Sequence, residues 1–139
     1  MQPWIIYAIL SAAFAGLVAI FGKIGISKVD STLATTVRAI IMAVFLLGIC
    51  LILGKFNLVK TIDSKALLFI TLSGIAGAVS WIFYFYALKN GPIGPVSAID
   101  KTSVVFVFVF ALLFLSEKFT LLKALGASLV TIGAIVMTL

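Results

Sequence analysis

Five long apolar runs decide what this chain can fold into. Each run approaches or exceeds the roughly 20 residues that an α-helix needs to cross about 30 Å of hydrocarbon. The connections are short and carry Lys, Gly, Pro and Asn residues, so neighbouring helices should run antiparallel. No linker or shift in composition marks a second domain. The sequence therefore predicts one all-α integral membrane bundle over residues 1–139, with five transmembrane helices at about 3–22, 32–54, 66–88, 95–115 and 120–139.

The overall composition favours a membrane protein and disfavours a soluble enzyme. Hydrophobic residues make up 64% of the chain and charged residues 10%, whereas a soluble domain carries about a quarter charged residues. The net charge of +6 comes from lysines and arginines that stand singly beside apolar runs, so it indicates membrane topology and no nucleic-acid partner. Cys50 is the single cysteine and histidine is absent, so no Cys/His metal site is expected. No nucleotide-binding loop or nucleophile with a base is found, and we expect neither catalysis nor a cofactor.

Lysines in the connections predict the orientation. The face that holds the N-terminus carries five of them and the opposite face three, which favours a cytoplasmic N-terminus and an external C-terminus in the cell (inner) membrane. The difference is small, so insertion in both orientations stays open. The two sets are Lys55, Lys60, Lys65, Lys118 and Lys123 against Lys23, Lys28 and Lys89.

Charged residues inside two predicted spans indicate a polar site. Arg38 lies six residues into the second helix and Asp100 five into the fourth, so both should lie about 8 to 9 Å inward from the external face. Thr35 shares a helix face with Arg38, and Ser97 shares one with Asp100 and Lys101. Arginine and lysine could snorkel to the headgroups, but the short carboxylate of Asp100 needs a cation or a wet cavity. Two interpretations remain: a polar cavity open to the outside, or a structural ion pair of Arg38 with Asp100.

Aromatic residues at the end of the third helix add to the same level. The segment "SWIFYFYALKN" contains Trp81 and Tyr84. Such residues usually form an interfacial belt, yet Trp81 comes eight residues before Lys89, about 12 Å inward. Trp81 and Tyr84 are therefore candidates for the lining of a cavity, with the belt as the alternative.

Small residues and one acidic turn predict packing contacts. Gly126 and Gly133 are seven residues apart in the last helix, so they lie on nearly one face and predict a stripe for pairing with another helix. Glu117, in the turn "LSEKFT", precedes the positive N-terminal end of the last helix and should stabilise that turn.

Two stretches carry a resemblance to a known family. "TTVRAIIMA", with Arg38, and "YFYALKNGPIGPVSAIDKTSVVFVFVFALLFLSEKFTLLKALGASLVTIGAIVM" resemble an EamA-like domain of the drug/metabolite transporter superfamily, with the Leu-x-Glu turn at Glu117 as the most specific feature. The resemblance implies a fold in which two five-helix units assemble in opposite orientations, fused in one chain or as separate chains. The Gly126 and Gly133 pair is similar to the dimerising last helix of small multidrug resistance proteins. The first helix lacks the membrane glutamate by which those proteins bind cations, which disfavours a lipophilic-cation substrate. Within the fourth helix, this chain has "DKTSVV" where many EamA-like domains carry a proline.

These features predict a secondary transporter that exports a small metabolite or a drug-like organic solute. It would act in the lipid bilayer as a homodimer, for which an inverted arrangement stays open, or with a paired five-helix subunit. Asp100 would be the carboxylate that couples transport to protons or orients the solute; alternatively, the site presents net positive charge to an anionic or zwitterionic solute. The competing function is a non-transporting membrane subunit that stabilises or targets a partner.

Overall fold

The computed structural model of the protein describes residues 2–116, 118 and 120–139. Six α-helices and one 3₁₀-helix make up the ordered elements, and the described residues contain no β-strand. The all-α prediction is therefore confirmed. In chain order the elements are α1 (Pro3–Gly25), α2 (Ser31–Ile52), the 3₁₀-helix (Lys55–Thr61), α3 (Ser64–Asn90), α4 (Ile93–Asp100), α5 (Ser103–Phe114) and α6 (Leu121–Val136).

Among the described residues, four helical segments are long and apolar enough to cross a membrane. They are α1, α2, α3 and the segment Ile93–Phe114 that joins α4 to α5. Their large apolar side chains are mostly exposed, as expected for helices whose solvent is lipid. The last helix, α6, is apolar but has only 16 residues, about 24 Å of rise against roughly 30 Å of hydrocarbon. The prediction of a multi-pass membrane protein is confirmed, while the count of five spans is confirmed only for the first four.

The predicted fourth helix is a single membrane span but not a continuous α-helix. Asp100 ends α4, and Lys101 with Thr102 forms a turn before α5 begins at Ser103. In this turn the Thr102 amide donates to the Ile99 carbonyl at 2.9 Å, a 3₁₀-type bond, and the Thr102 hydroxyl donates to the same carbonyl at 2.7 Å. Asp100 and Lys101 therefore lie inside the predicted span, but the prediction of one continuous α-helix around them is wrong. They lie at a break, where local bonds replace the α-helical pattern.

The chain divides into two compact units. The central unit is Gly22–Lys89, and the terminal unit combines Met1–Phe21 with Asn90–Leu139. In the terminal unit, α4 and α5 pack against α6, and the buried side chains are alanines, which allow close approach of helices. In the central unit, the buried residues gather where α1 ends, α2 begins and α3 ends: Ile26, Ser31, Thr35, Phe85 and Leu88.

Caps explain where the helices of the central unit begin and end. Asp30 is the N-cap of α2, where its carboxylate accepts the Leu33 amide at 2.9 Å. The Asp63 carboxylate accepts the Ala66 amide at 2.6 Å in the same way before α3. After α2, Gly54 adopts a left-handed conformation with φ of 63°, which terminates the helix at little steric cost.

Candidate functional site

The Arg38 side chain lies flat against an aromatic ring in the central unit. Its guanidinium carbon is 3.6 Å from the centroid of the Trp81 ring and 5.9 Å from that of Phe85. Trp81 is in turn held edge to face by Tyr84, with centroids 5.4 Å apart, and by Phe85, with centroids 5.7 Å apart. We call this cation–π contact the Arg38–Trp81 pair.

A buried polar stripe on α2 leads to the Arg38–Trp81 pair. Ser31 is 1% exposed and Thr35 6% exposed, while Arg38, on the same helix face, is half-buried. The Thr35 hydroxyl donates to the Ser31 carbonyl at 2.8 Å. The Ser31 hydroxyl is buried without a hydrogen-bond partner among the described residues. The stripe predicted from the sequence is thus turned toward the interior of the central unit.

Two lysines of the central unit form hydrogen bonds between the ends of its helices. Lys23, in the last turn of α1, donates to the Leu88 carbonyl near the end of α3. Lys89 donates at 2.8 Å to the Val29 carbonyl in the connection that leads to α2. Cations near the C-terminal ends of helices are favourable because free carbonyls gather there.

The carboxylates of the central unit are used elsewhere. Asp30 and Asp63 both accept backbone amides as helix caps. Among the described residues of the central unit, no carboxylate lies within 4.0 Å of Arg38, and no acceptor takes a hydrogen bond from its guanidinium. The Arg38 guanidinium is therefore a positively charged group whose face lies against the Trp81 ring. The N–H groups along its edge have no described acceptor in the central unit.

In the terminal unit, Asp100 forms an ion pair with the next residue. The Lys101 ammonium donates to the Asp100 carboxylate at 3.0 Å, with side chains 61% and 36% exposed. Ser97 lies one turn earlier on α4 and is half-buried. Arg38 and Asp100 belong to different units, and their pairing stays a prediction.

A cavity of about 370 Å³ lies between α5 and α6 and includes none of the predicted site residues. Its two hydroxyl side chains, Ser128 and Thr131, donate to carbonyls of their own helix, so the lining is mainly apolar. At Gly126 and Gly133, a methyl group would meet no described atom within 4 Å. The glycine stripe is thus open, and its pairing with another helix stays a prediction. Glu117 lies outside the described residues, so its role in the turn is also still a prediction.

Sequence reasoning missed two residues of the site, Phe85 and Gly22. Phe85 is 3% exposed, and a Cβ atom on Gly22 would lie only 3.2 Å from its ring, so the glycine allows this close approach. For Phe85 the sequence does contain a signal: Trp81, Phe85 and Leu88 have i, i+4, i+7 spacing, which places these three residues on one face of α3.

Comparison with known proteins places the chain among transporters. It matches the EamA-like transporter family over residues 2–139. It is 38% identical over 136 residues to an "uncharacterized transporter in cobO 3′ region" of Sinorhizobium sp, covering 98% of this chain and 96% of that protein. It is 28% identical over 140 residues to an uncharacterized protein of Methanocaldococcus jannaschii, covering 100% and 98%. It is also 29% identical over 133 residues to mouse solute carrier family 35 member G1, covering 94% of this chain and 34% of the mouse protein. No solved structure matches significantly.

Helices of membrane length and a half-buried cation in one of them define a multi-pass membrane protein with a polar site. The matches above narrow that class to membrane transporters. The chain belongs to the EamA-like transporter family, which confirms the resemblance read from its sequence. These matches point to a non-enzymatic transporter role.

Proposed function

We propose that the protein is a secondary transporter that exports a small metabolite or a drug-like organic solute. The Arg38–Trp81 pair carries this proposal, because a half-buried cation with its hydrogen-bonding edge unused is expensive to keep in a membrane helix unless it has a function. Thr35 and Tyr84 complete the central unit's part of the site. Ser97, Asp100 and Lys101 form a second proposed site, in the terminal unit.

Asp100 is proposed to couple transport to protons or to orient the solute. It is the one acidic residue inside the five spans predicted from the sequence, and it lies where α4 ends and the turn before α5 begins. Breaks in membrane helices recur at transport sites, because free backbone groups and a flexible turn meet there. Lys101 holds the carboxylate at 3.0 Å, so a movement of the turn would change the surroundings of both charges.

The proposed working form is a homodimer, with inverted pairing as one arrangement, or a pair with a second five-helix subunit. Two relatives are matched over almost their whole length, and the open face at Gly126 and Gly133 offers a surface for a second unit. Alternating access would then follow from rocking one unit against the other. Labelling of single cysteines placed in each connection of a Cys50→Ser variant tests this. Labelling from both sides supports an inverted homodimer, and one fixed orientation contradicts it.

Transport is tested in proteoliposomes with an imposed pH gradient. Labelled alanine, succinate, glucose and tetraphenylphosphonium sample zwitterionic, anionic, neutral and cationic solutes. For a transported probe, Asp100→Asn should retain exchange but lose accumulation driven by the gradient. Asp63→Asn is the matched control, since it removes the same charge outside the spans and asparagine still caps a helix. If Asp100→Asn remains fully driven by the gradient, Asp100 does not carry the proton.

A second candidate function is a non-transporting subunit that stabilises or targets a partner membrane protein. The open glycine face of α6 favours it as much as it favours a dimer. Absence of transport for all probes, together with loss of a partner protein from membranes when the gene is deleted, would support this function over the first.

A further inference from the structure

We propose that the solute bound at the Arg38–Trp81 pair carries an oxyanion, a carboxylate or a phosphate, which the guanidinium holds by its edge. This inference rests on the proposed transport function and names the class of solute. It concerns only residues of the central unit.

The geometry of the pair leaves one part of Arg38 available. The guanidinium is planar, and its face is covered by the Trp81 ring at 3.6 Å. Its five N–H donors point outward in the plane, in a fork that fits two oxygens of a carboxylate or phosphate. No described acceptor of the central unit takes these hydrogen bonds. An oxyanion would satisfy several of them at once with charge-assisted bonds.

The electrostatics of the central unit favour the same class of solute. Its two carboxylates, Asp30 and Asp63, are engaged as helix caps. Lys23 and Lys89 donate to backbone carbonyls at the helix ends near the site. The field at the Arg38–Trp81 pair is therefore positive, which attracts an anion and repels a cation more strongly than it would in water.

The pair is also held rigidly in advance. Trp81 is fixed by edge-to-face contacts with Tyr84 and Phe85, and Phe85 is buried against Gly22. A ring fixed in this way holds the guanidinium in one plane, so little conformational entropy is lost when an anion binds. The buried hydroxyl of Ser31, without a partner among the described residues, is a further donor on the same face of α2.

Binding is measured without transport, in nanodiscs of zwitterionic phosphatidylcholine. Labelled succinate and labelled inorganic phosphate are the two oxyanion probes, and labelled glucose and tetramethylammonium are the neutral and cationic ones. We expect saturable binding of at least one oxyanion and of neither control; the tighter oxyanion identifies the group. In a Trp4→Phe background, Trp81 is the remaining tryptophan, and its fluorescence should change over the same concentration range.

Variants assign the binding to this site. Arg38→Met should weaken oxyanion binding at least about tenfold, since hydrogen bonds to charged groups are lost. Arg38→Lys should keep part of the affinity, because the charge remains but the fork is gone. Lys28→Met is the matched control: it removes an exposed cation from the same end of the unit and should change affinity less than about twofold. If circular dichroism shows that Arg38→Met does not fold, the oxyanion affinities of Arg38→Lys and Trp81→Phe are compared with that of the wild type instead.

The outcomes separate this inference from the proposed function. Transport of glucose or tetraphenylphosphonium without saturable oxyanion binding overturns the solute class and leaves a transporter. Oxyanion binding that depends on Arg38, in a protein that transports no probe, supports the site and contradicts transport. A change of Trp81 fluorescence caused only by added phosphatidylglycerol, with no binding of either soluble anion, would show that the site holds a lipid headgroup and would overturn the inference.

Discussion

The contact between Arg38 and Trp81 should contribute measurably to the stability of the protein. Cation–π contacts are worth about 0.5 to 1 kcal/mol when exposed and about 2 kcal/mol or more when desolvated. Here the guanidinium carbon lies 3.6 Å from the ring centroid and both side chains are half-buried. The expected coupling free energy is therefore about 1 to 2 kcal/mol.

A double-mutant cycle isolates this coupling from the loss of each side chain. Arg38→Met keeps much of the length and removes the charge, and Trp81→Leu removes the ring but keeps an apolar residue. The free energy of unfolding of the wild type, both single variants and the double variant is measured by denaturant titration in mixed micelles. Circular dichroism is the signal, because Trp81 itself is changed. The sum of the stability losses in the two single variants should exceed the loss in the double variant by the coupling free energy.

A coupling within the additivity error of about 0.3 to 0.5 kcal/mol would refute this reasoning. A second cycle, with Arg38→Met and Asp100→Leu, tests the pairing predicted from the sequence. Removal of one partner of a buried ion pair is usually worse than removal of both, so pairing would appear as rescue in the double variant. If the Asp100 cycle gives the larger coupling, a carboxylate compensates Arg38, and the positively charged site is wrong.

Three further predictions concern packing. Gly22→Ala should be less stable than Gly25→Ala by about 1 kcal/mol in the same titration. The reason is that a Cβ on Gly22 would lie 3.2 Å from the Phe85 ring, while one on Gly25 would meet no described atom within 4 Å. Equal stabilities of the two variants would contradict the contact between Gly22 and Phe85. Leu88→Ala should lower the free energy of unfolding by about 2 to 5 kcal/mol, since Leu88 is 0% exposed, and a loss below 1 kcal/mol would show that the site collapses or is loosely packed. Replacing both Gly126 and Gly133 by Leu should weaken dimers measured in bilayers; an unchanged dimer would exclude this face as the interface.

The class of protein and four of its spans were readable from the sequence. Apolar runs of about 20 residues predict membrane helices by length alone, because an unpaired backbone group in hydrocarbon costs several kcal/mol and a helix pairs its backbone groups within one segment. The bounds of α1, α2 and α3 accordingly lie within a few residues of those predicted. Thr35 and Arg38 were likewise placed on one face of α2, since that follows from helical periodicity.

The tertiary structure decided what hydropathy does not encode. The α-helix of the fourth span is interrupted at Lys101 and Thr102, where the Thr102 hydroxyl donates to a backbone carbonyl. Hydropathy is averaged over many residues and does not report such local hydrogen bonds. The tertiary structure ended the last helix at 16 residues. It also placed the Arg38 guanidinium on the Trp81 ring. That contact joins two residues that are far apart in the chain, one on α2 and one on α3. Phe85, which packs edge to face on Trp81, lies close to Gly22 of α1. The sequence by itself determined which charges lie in the membrane, because that depends only on local composition. Their partners depend on the packing of helices, which only the tertiary structure could show.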